Sequence, residues 1–371
     1  MERRLHGGLA GRMGKVAVAS IGAVLIFAAM PAPAGAAPDG SAGRRPDHLS
    51  KSVTPAEEAQ APKETKDKVL REAKPHVIPT ARGGGDAEQR GRGPDGPEWK
   101  TEPTPGDSAA AGTATSTSLA TAQNGAWPGA YYQNPNRQAG KLYFDKIRGP
   151  GVEWGNCSAT AVTSENKSTI VTAGHCVYNP DPDNNGVVNG NGYFYEDFRF
   201  CPGFENGCKL GMWYYRNVAT TNSWAYGVGT ARRYDYRDDV ALIMMKPNSA
   251  GYLVNVVGGQ GMTFNNATGL TRQALGYPAS DYRWPQYSYN GQDLMYCGAR
   301  DTYDASIPGT MWISCTMTGG SSGGPWLTSP NSNWMGYVNS VNSHKPYGGA
   351  YMSGPYFDSV ESNLYQYWRN R

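Results

Sequence analysis

Residues 125–371 are expected to fold as an all-β domain, large enough for two packed barrels, with one short helix at the end. Three observations carry this expectation. Short β-branched or apolar runs alternate with Gly, Asn, Pro and Asp punctuation, the pattern of many short strands joined by turns. The aromatic and cysteine content is concentrated there: all 24 Tyr, all six Cys and nine of the ten Trp lie at or beyond residue 125. Helical spacing of apolar residues is nearly absent.

The predicted strands, in order, include Thr169–Ala173, Val240–Met245, Leu270–Leu275, Met311–Thr316, Trp334–Val341 and Ala350–Met352. Only the tail from Asp358 to about Trp368 spaces Val360, Leu364, Tyr367 and Trp368 at helical intervals. No repeat of 20–50 residues is evident.

The segment before this domain is different. Residues 1–36 carry Arg3, Arg4, Arg12 and Lys15, then the apolar run Val16–Met30, then Ala34-Gly35-Ala36. That sequence reads as a secretory signal peptide, and the apolar run is short for a membrane span. Residues 37–124 contain one aromatic residue, Trp99, no Cys, 12 Lys/Arg and 13 Asp/Glu. So little apolar surface does not offset chain entropy, so the stretch is expected to be a disordered linker or a pro-segment removed after folding. Lys63–Lys74 alone has the composition of a short helix. The domain itself carries 18 basic against 17 acidic residues, which points to neither a nucleic-acid nor a membrane partner.

Export turns the cysteines into a disulfide question rather than a metal question. Six cysteines allow 15 pairings, and spacing favours Cys157–Cys176, Cys201–Cys208 and Cys297–Cys315. No Cys-x-x-Cys or Cys/His cluster suggests zinc, and no cofactor motif is present. Asp181-Pro182-Asp183-Asn184-Asn185-Gly186 begins like a calcium loop, but its twelfth position is Gly192 rather than the required Glu. A turn is the simpler account.

Three segments carry chemistry. His175, one of two histidines in the domain, closes Thr172-Ala173-Gly174-His175-Cys176 at the end of a predicted strand. A disulfide at Cys176 would hold it rigidly, as a general base requires. Asp238 and Asp239 lead directly into the apolar strand Val240-Ala241-Leu242-Ile243. A carboxylate drawn inward there would accept the Nδ1 proton of a histidine. The run Thr318-Gly319-Gly320-Ser321-Ser322-Gly323-Gly324-Pro325-Trp326 lets backbone N–H groups converge on one point, as an oxyanion hole needs.

Together, and in this order, these segments resemble the chymotrypsin/trypsin-like serine peptidases. The resemblance covers about residues 138–371 and implies two packed six-stranded antiparallel β-barrels. It implies Ser322 as nucleophile, His175 as general base and acid, and Asp239 as orienting carboxylate, with the oxyanion held by the N–H groups of Gly320 and Ser322. Ser321 stands where trypsin-like enzymes carry the Asp that pairs with a new N-terminus. The sequence therefore resembles the secreted bacterial glutamyl-endopeptidase-like branch.

Thr316 takes the place of the Arg/Lys-binding Asp, and no acidic residue lies within 305–335. Cleavage after Arg or Lys is not expected. Glutamyl enzymes place a His on the following pocket strand, where Val338 stands here, so glutamate specificity has no support at this stage. Asn339, Ser340 and Val341 are expected to pair with an extended substrate in antiparallel fashion. His344, beyond them in a Ser/Lys/Pro loop, is expected at the surface.

Gly320-Ser321-Ser322-Gly323-Gly324 also matches the nucleophile elbow of α/β-hydrolases. No acidic residue lies between Ser322 and His344, and strand–helix alternation is missing, which excludes that reading. The expected protein is a secreted, monomeric serine endopeptidase acting on proteins or peptides without a cofactor or metal. The alternative is a catalytically inactive homologue serving as a secreted binding module.

Overall fold

The computed structural model describes residues 47–59, 64–77, 79, 93–106, 123–147, 151–227, 234–345 and 349–371. The expected signal peptide lies outside them. Residues preceding the domain contribute β1 (His48–Ser52), α1 (Pro55–Glu58), α2 (Lys66–Glu72), β2 (Lys74–Pro75) and β3 (Trp99–Thr101). The first half of the domain holds β4 (Gln123–Ala126), β5 (Ala139–Asp145), β6 (Trp154–Ala161), β7 (Thr169–Thr172), β8 (Tyr178–Asn179), β9 (Tyr193–Phe194), β10 (Glu196–Pro202), β11 (Trp213–Thr221), α3 (Asn222–Tyr226) and β12 (Ala241–Met245). The second half holds α4 (Leu253–Val257), β13 (Gly261–Phe264), β14 (Thr271–Gly276), β15 (Met295–Arg300), β16 (Thr302–Tyr303), β17 (Thr310–Ser314), β18 (Pro325–Thr328), β19 (Tyr337–Val341), β20 (Tyr351–Pro355) and α5 (Ser359–Trp368).

Strands β11, β10, β5, β6, β7 and β12 follow one another, and β12 pairs back onto β11. This closes a six-stranded antiparallel barrel, in which β10 pairs only with the start of β11 and leaves residues 217–221 of that strand with an open edge. Four of its strands are covered on both faces: all of β5, β6, β7 and β12 is buried. The second half forms a second sheet system: a seven-stranded sheet, β3-β13-β19-β18-β14-β15-β4, and a ribbon, β16-β17-β20. The pairing of β13 with β19 is parallel. β20 is tied to β19 by a side chain, Ser340 Oγ donating to Pro355 O at 2.8 Å, rather than by a ladder.

Six predicted strands coincide with β7, β12, β14, β17, β19 and β20 within a few residues at each end. The tail helix is α5, opened by a capping box between Asp358 and Glu361. The three disulfides are those spacing favoured, with Cα–Cα distances of 6.2, 5.3 and 5.4 Å.

Among the described residues of 37–124, α2 falls within Lys63–Lys74, and three strands are ordered against the domain. β1 adds to the barrel on β11, from His48↔Thr221 to Ser52↔Asn217. β3 pairs with β13, and Trp99 stacks on Phe264 at 5.2 Å. β2 pairs in parallel with β6, Lys74 opposite Gly155 and Pro75 opposite Asn156. The segment has no core of its own and takes its order from edges and surface supplied by the domain. Residues 107–122 lie outside the described set.

Candidate active site

His175 sits in a single 3₁₀ turn, Gly174–Cys176, where β7 ends. The Cys157–Cys176 bridge anchors that turn to β6. Because the two sulfurs are joined, they offer no thiolate to a metal beside His175. Asp239 lies just before β12, the strand paired with β7, so the ladder brings the two residues together. Asp239 Oδ1 accepts from the His175 backbone N–H and Oδ2 faces His175 Nδ1, both at 2.8 Å. Oδ2 also accepts from Ser343 Oγ at 2.6 Å. A fully buried carboxylate satisfied by donors on all sides makes His175 Nδ1 the protonated nitrogen and leaves Nε2 as the acceptor facing the cleft. Asp238, the other member of the acidic pair, turns instead to Ser223.

Ser322 lies in the loop entering β18. The loop is fixed by Ser158, whose N–H donates to Ser322 O at 2.7 Å and whose Oγ donates to Gly320 O at 2.9 Å. Two glycines there have a steric reason. Gly323 has φ +77°, and a Cβ would stand 1.9 Å from Thr172 Oγ1. Gly320 has φ +90°, and a Cβ would stand 2.7 Å from Tyr277 O. Ser321 is turned away, its Oγ donating to Thr318 O at 2.7 Å. Ser322 Oγ and His175 Nε2 are both buried without a hydrogen-bond partner, so the Ser–His bond is not formed in this state.

The chain's own residues 74–77 and 79 lie against these groups. His76 N–H donates to Asn156 O at 2.8 Å, and Asn156 Nδ2 donates to Ala73 O at 3.2 Å. The Gly320 N–H, one of the two expected oxyanion donors, is given to His76 O at 3.0 Å. Farther along, Lys345 N–H donates to Pro79 O at 2.9 Å. The His76 ring stacks on His175, with centroids 5.8 Å apart at 20°, and meets Phe144 and Tyr195 edge-on. Burial is the first cause that pushes the His76 pKa well below its ordinary value, followed by neighbouring His175 and Lys146.

The expected substrate strand is displaced. Val338, Asn339, Ser340 and Val341 are interior residues, Val338 in the main core cluster. The Asn339 amide donates to Trp326 O at 3.2 Å and accepts from Arg272 at 3.1 Å. The residues bordering the cleft are Ser343, His344 and Lys345, just beyond β19. His344 is fully buried rather than at the surface. Its Nδ1 lies 3.0 Å from Ser343 Oγ, its ring packs on Tyr236 at 4.5 Å, and burial lowers its pKa to about 4. Thr316 is half-buried, its Oγ1 2.6 Å from Tyr289 OH. Asp181 accepts from the N–H groups of Asn185 and Gly186 and from Tyr234 OH, which makes its loop an Asp-anchored turn.

Sequence reasoning missed Ser343, His76 and Lys345. Only Ser343 carried a signal, its place shortly after the predicted strand Trp334–Val341.

A closed six-stranded antiparallel barrel followed by a second sheet system, with His175 bonded to Asp239, is the architecture of the chymotrypsin-like serine proteases. Among solved structures, the chain is similar to the protease Anisep of Arthrobacter nicotinovorans, at 33% identity over 67% of this chain and 100% of that one, with a TM-score of 0.54. It is also similar to a thermostable serine protease, AL20, from an extremophilic microorganism, at 32% identity over 63% and 97% of the two chains, TM-score 0.52. No protein-family model and no curated protein sequence matches it. The chain belongs to the chymotrypsin-like serine protease family.

Proposed function

We propose that this protein is an exported serine endopeptidase in which Ser322, His175 and Asp239 perform acyl transfer on a polypeptide. The observation that carries the reading is the hydrogen-bonded sequence Ser343–Asp239–His175, which leaves His175 Nε2 as an acceptor in the same cleft as Ser322 Oγ. Ser322 Oγ forms a bond to the scissile carbonyl carbon while its proton passes to His175 Nε2. Asp239 stabilises the resulting imidazolium without taking its proton. The oxygen that becomes negative is held by the Gly320 and Ser322 N–H groups. Collapse breaks the C–N bond, and the amine leaves with the proton from His175. Water then repeats the sequence and frees the acid.

The three disulfides support export to an oxidising compartment. No helix among the described residues is long and apolar enough to cross a membrane. The position of residues 74–77 and 79 supports a latent precursor: His76 O takes the Gly320 N–H, an expected oxyanion donor, and Pro79 O takes the Lys345 N–H, so neither donor is free for a substrate. The inactive-homologue reading finds no lost triad member. Exposing the full chain and its processed form to a fluorophosphonate tests both: adduct formation on Ser322 only after processing is expected, and no adduct in either form would overturn the reading.

A further inference from the structure

The second histidine of the domain lies one residue beyond the hydroxyl that donates to Asp239, and the triad does not use it. His344 is fully buried. Three backbone bonds tie its stretch of chain to β20. The Ser343 and His344 N–H groups donate to Ser353 O at 2.9 and 3.2 Å, and Ser353 N–H donates to His344 O at 2.8 Å. The imidazole packs on the Tyr236 ring at 4.5 Å and 40°, and Tyr236 opens the 3₁₀ turn Tyr236–Asp238 that leads directly to Asp239. Backbone and ring contacts together fix where the two imidazole nitrogens stand.

Proton counting assigns those nitrogens. A serine hydroxyl has one proton and two lone pairs, and a carboxylate only accepts. The Ser343 proton therefore lies on the 2.6 Å contact to Asp239 Oδ2. The 3.0 Å contact between Ser343 Oγ and His344 Nδ1 must then take its proton from the histidine. In the other tautomer a bare Nδ1 draws the serine proton to itself, and Asp239 loses one of its three donors. The surroundings of His344 choose between the two. Nε2 is buried with no partner, so a proton there would be an unsatisfied donor, whereas a proton on Nδ1 finds an acceptor. Burial opposes a second proton, with Asp239 and Asp304 favouring it and His175 against, and the pKa falls to about 4.

We propose that His344 is a positioning residue of the active site: its Nδ1–H holds the Ser343 hydroxyl on Asp239, and through Asp239 it holds the His175 ring. This rests on the peptidase reading above. The donors run in one direction, from His344 Nδ1–H to Ser343 Oγ–H to Asp239, which receives His175 Nδ1–H from the other end. Each donor polarises the next, so the outer bond strengthens the inner one. A histidine that only fills space needs its ring but not its proton.

Nitrogen-15 NMR of the full-length Ser322→Ala protein, with His344 assigned by comparison with His344→Asn, reads the tautomer directly. A protonated Nδ1 and a bare Nε2 at neutral pH are expected, and the reverse overturns the proposal. Peptide hydrolysis by the processed protein measures the consequence, with fluorophosphonate titration of Ser322 counting competent sites in every sample. His344→Phe keeps a ring against Tyr236 and removes the donor. It should lower kcat about three- to tenfold with KM unchanged, the range of one hydrogen bond. His344→Asn, whose amide N–H can take the place of Nδ1–H, should recover most of that loss. In a Ser343→Ala background, His344→Phe should cost nothing more, because the hydroxyl it acts on is gone. An unchanged kcat in His344→Phe, equal losses in the Phe and Asn variants, or a full further loss in the Ser343→Ala background overturns the proposal alone. Absence of both titration and cleavage in the wild type overturns the peptidase reading, and the positioning role with it, whatever the tautomer.

Discussion

Acid should loosen the hold of residues 74–77 and 79 on the His175–Gly320 region, and His76 sets the size of the effect. Docked, its ring is stacked on His175 and pressed by Phe144 and Tyr195, so the neutral form is favoured and its pKa lies well below 6.5. Released, it returns to about 6.5. A pKa lowered in the docked state means docking is at full strength above about pH 6.5 and weakens as pH falls below it. The loss is about 1.4 kcal/mol per pH unit until the docked pKa is reached. Between pH 7.5 and 5.0 this amounts to at most roughly 2 kcal/mol, or about thirtyfold in the opening equilibrium. The assay is hydrogen exchange at the Gly320 and Lys345 amides, both donated to the segment, in a full-length Ser322→Ala protein that does not process itself. Protection, corrected for intrinsic exchange, should drop by up to about thirtyfold at pH 5.0. His76→Gln should abolish most of that pH dependence. Equal protection at both pH values, or the same drop in His76→Gln, would refute the argument.

Asp239→Asn should lower kcat by about 10⁴-fold in the processed protein, measured by peptide hydrolysis, because the amide no longer fixes the Nδ1-protonated tautomer. Ser343→Ala removes one of three donors to Asp239 and should cost about tenfold, from roughly 1–2 kcal/mol of lost orientation, seen in kcat rather than KM. Gly323→Ala forces a left-handed alanine against Thr172 Oγ1 and Ser158 O. Thermal unfolding should register about 2–5 kcal/mol of destabilisation, a midpoint lower by roughly 5–15 °C. The full-length chain should react with a fluorophosphonate at least tenfold more slowly than its processed form, since four hydrogen bonds at about 1 kcal/mol each hold Ala73, His76 and Pro79 in place.

The fold was legible because short β-branched or apolar runs are separated by turn residues, so β7 and β12 stand out without any partner in view. The pairing of His175 with Asp239 was legible because each sits where one of these strands meets a turn. The glycines around Ser322 stood out because the loop leaves no room for larger residues at Gly320 and Gly323. The pocket was not legible. Counting along β19 cannot see the register break between Trp326 and Leu327 against it, and the residues at the cleft lie two to four positions beyond the strand. Burial of His344 and Lys345 within a polar Ser/Lys/Pro loop is a tertiary effect, supplied by Tyr236, Trp284 and the carbonyls around Thr316. The strands β1 and β2 were not legible for the same reason: their surrounding composition is that of a chain without a core, and their order is borrowed from β11 and β6.

The central claim is that Ser322 is a nucleophile activated by His175. Intact-mass and peptide-mapping analysis of the processed protein after fluorophosphonate treatment measures it most directly. One adduct per chain on Ser322, absent in Ser322→Ala and strongly slowed in His175→Ala, is the predicted result. An adduct on Ser321, equal labelling in His175→Ala, or no adduct on a folded, disulfide-bonded, processed chain would contradict it.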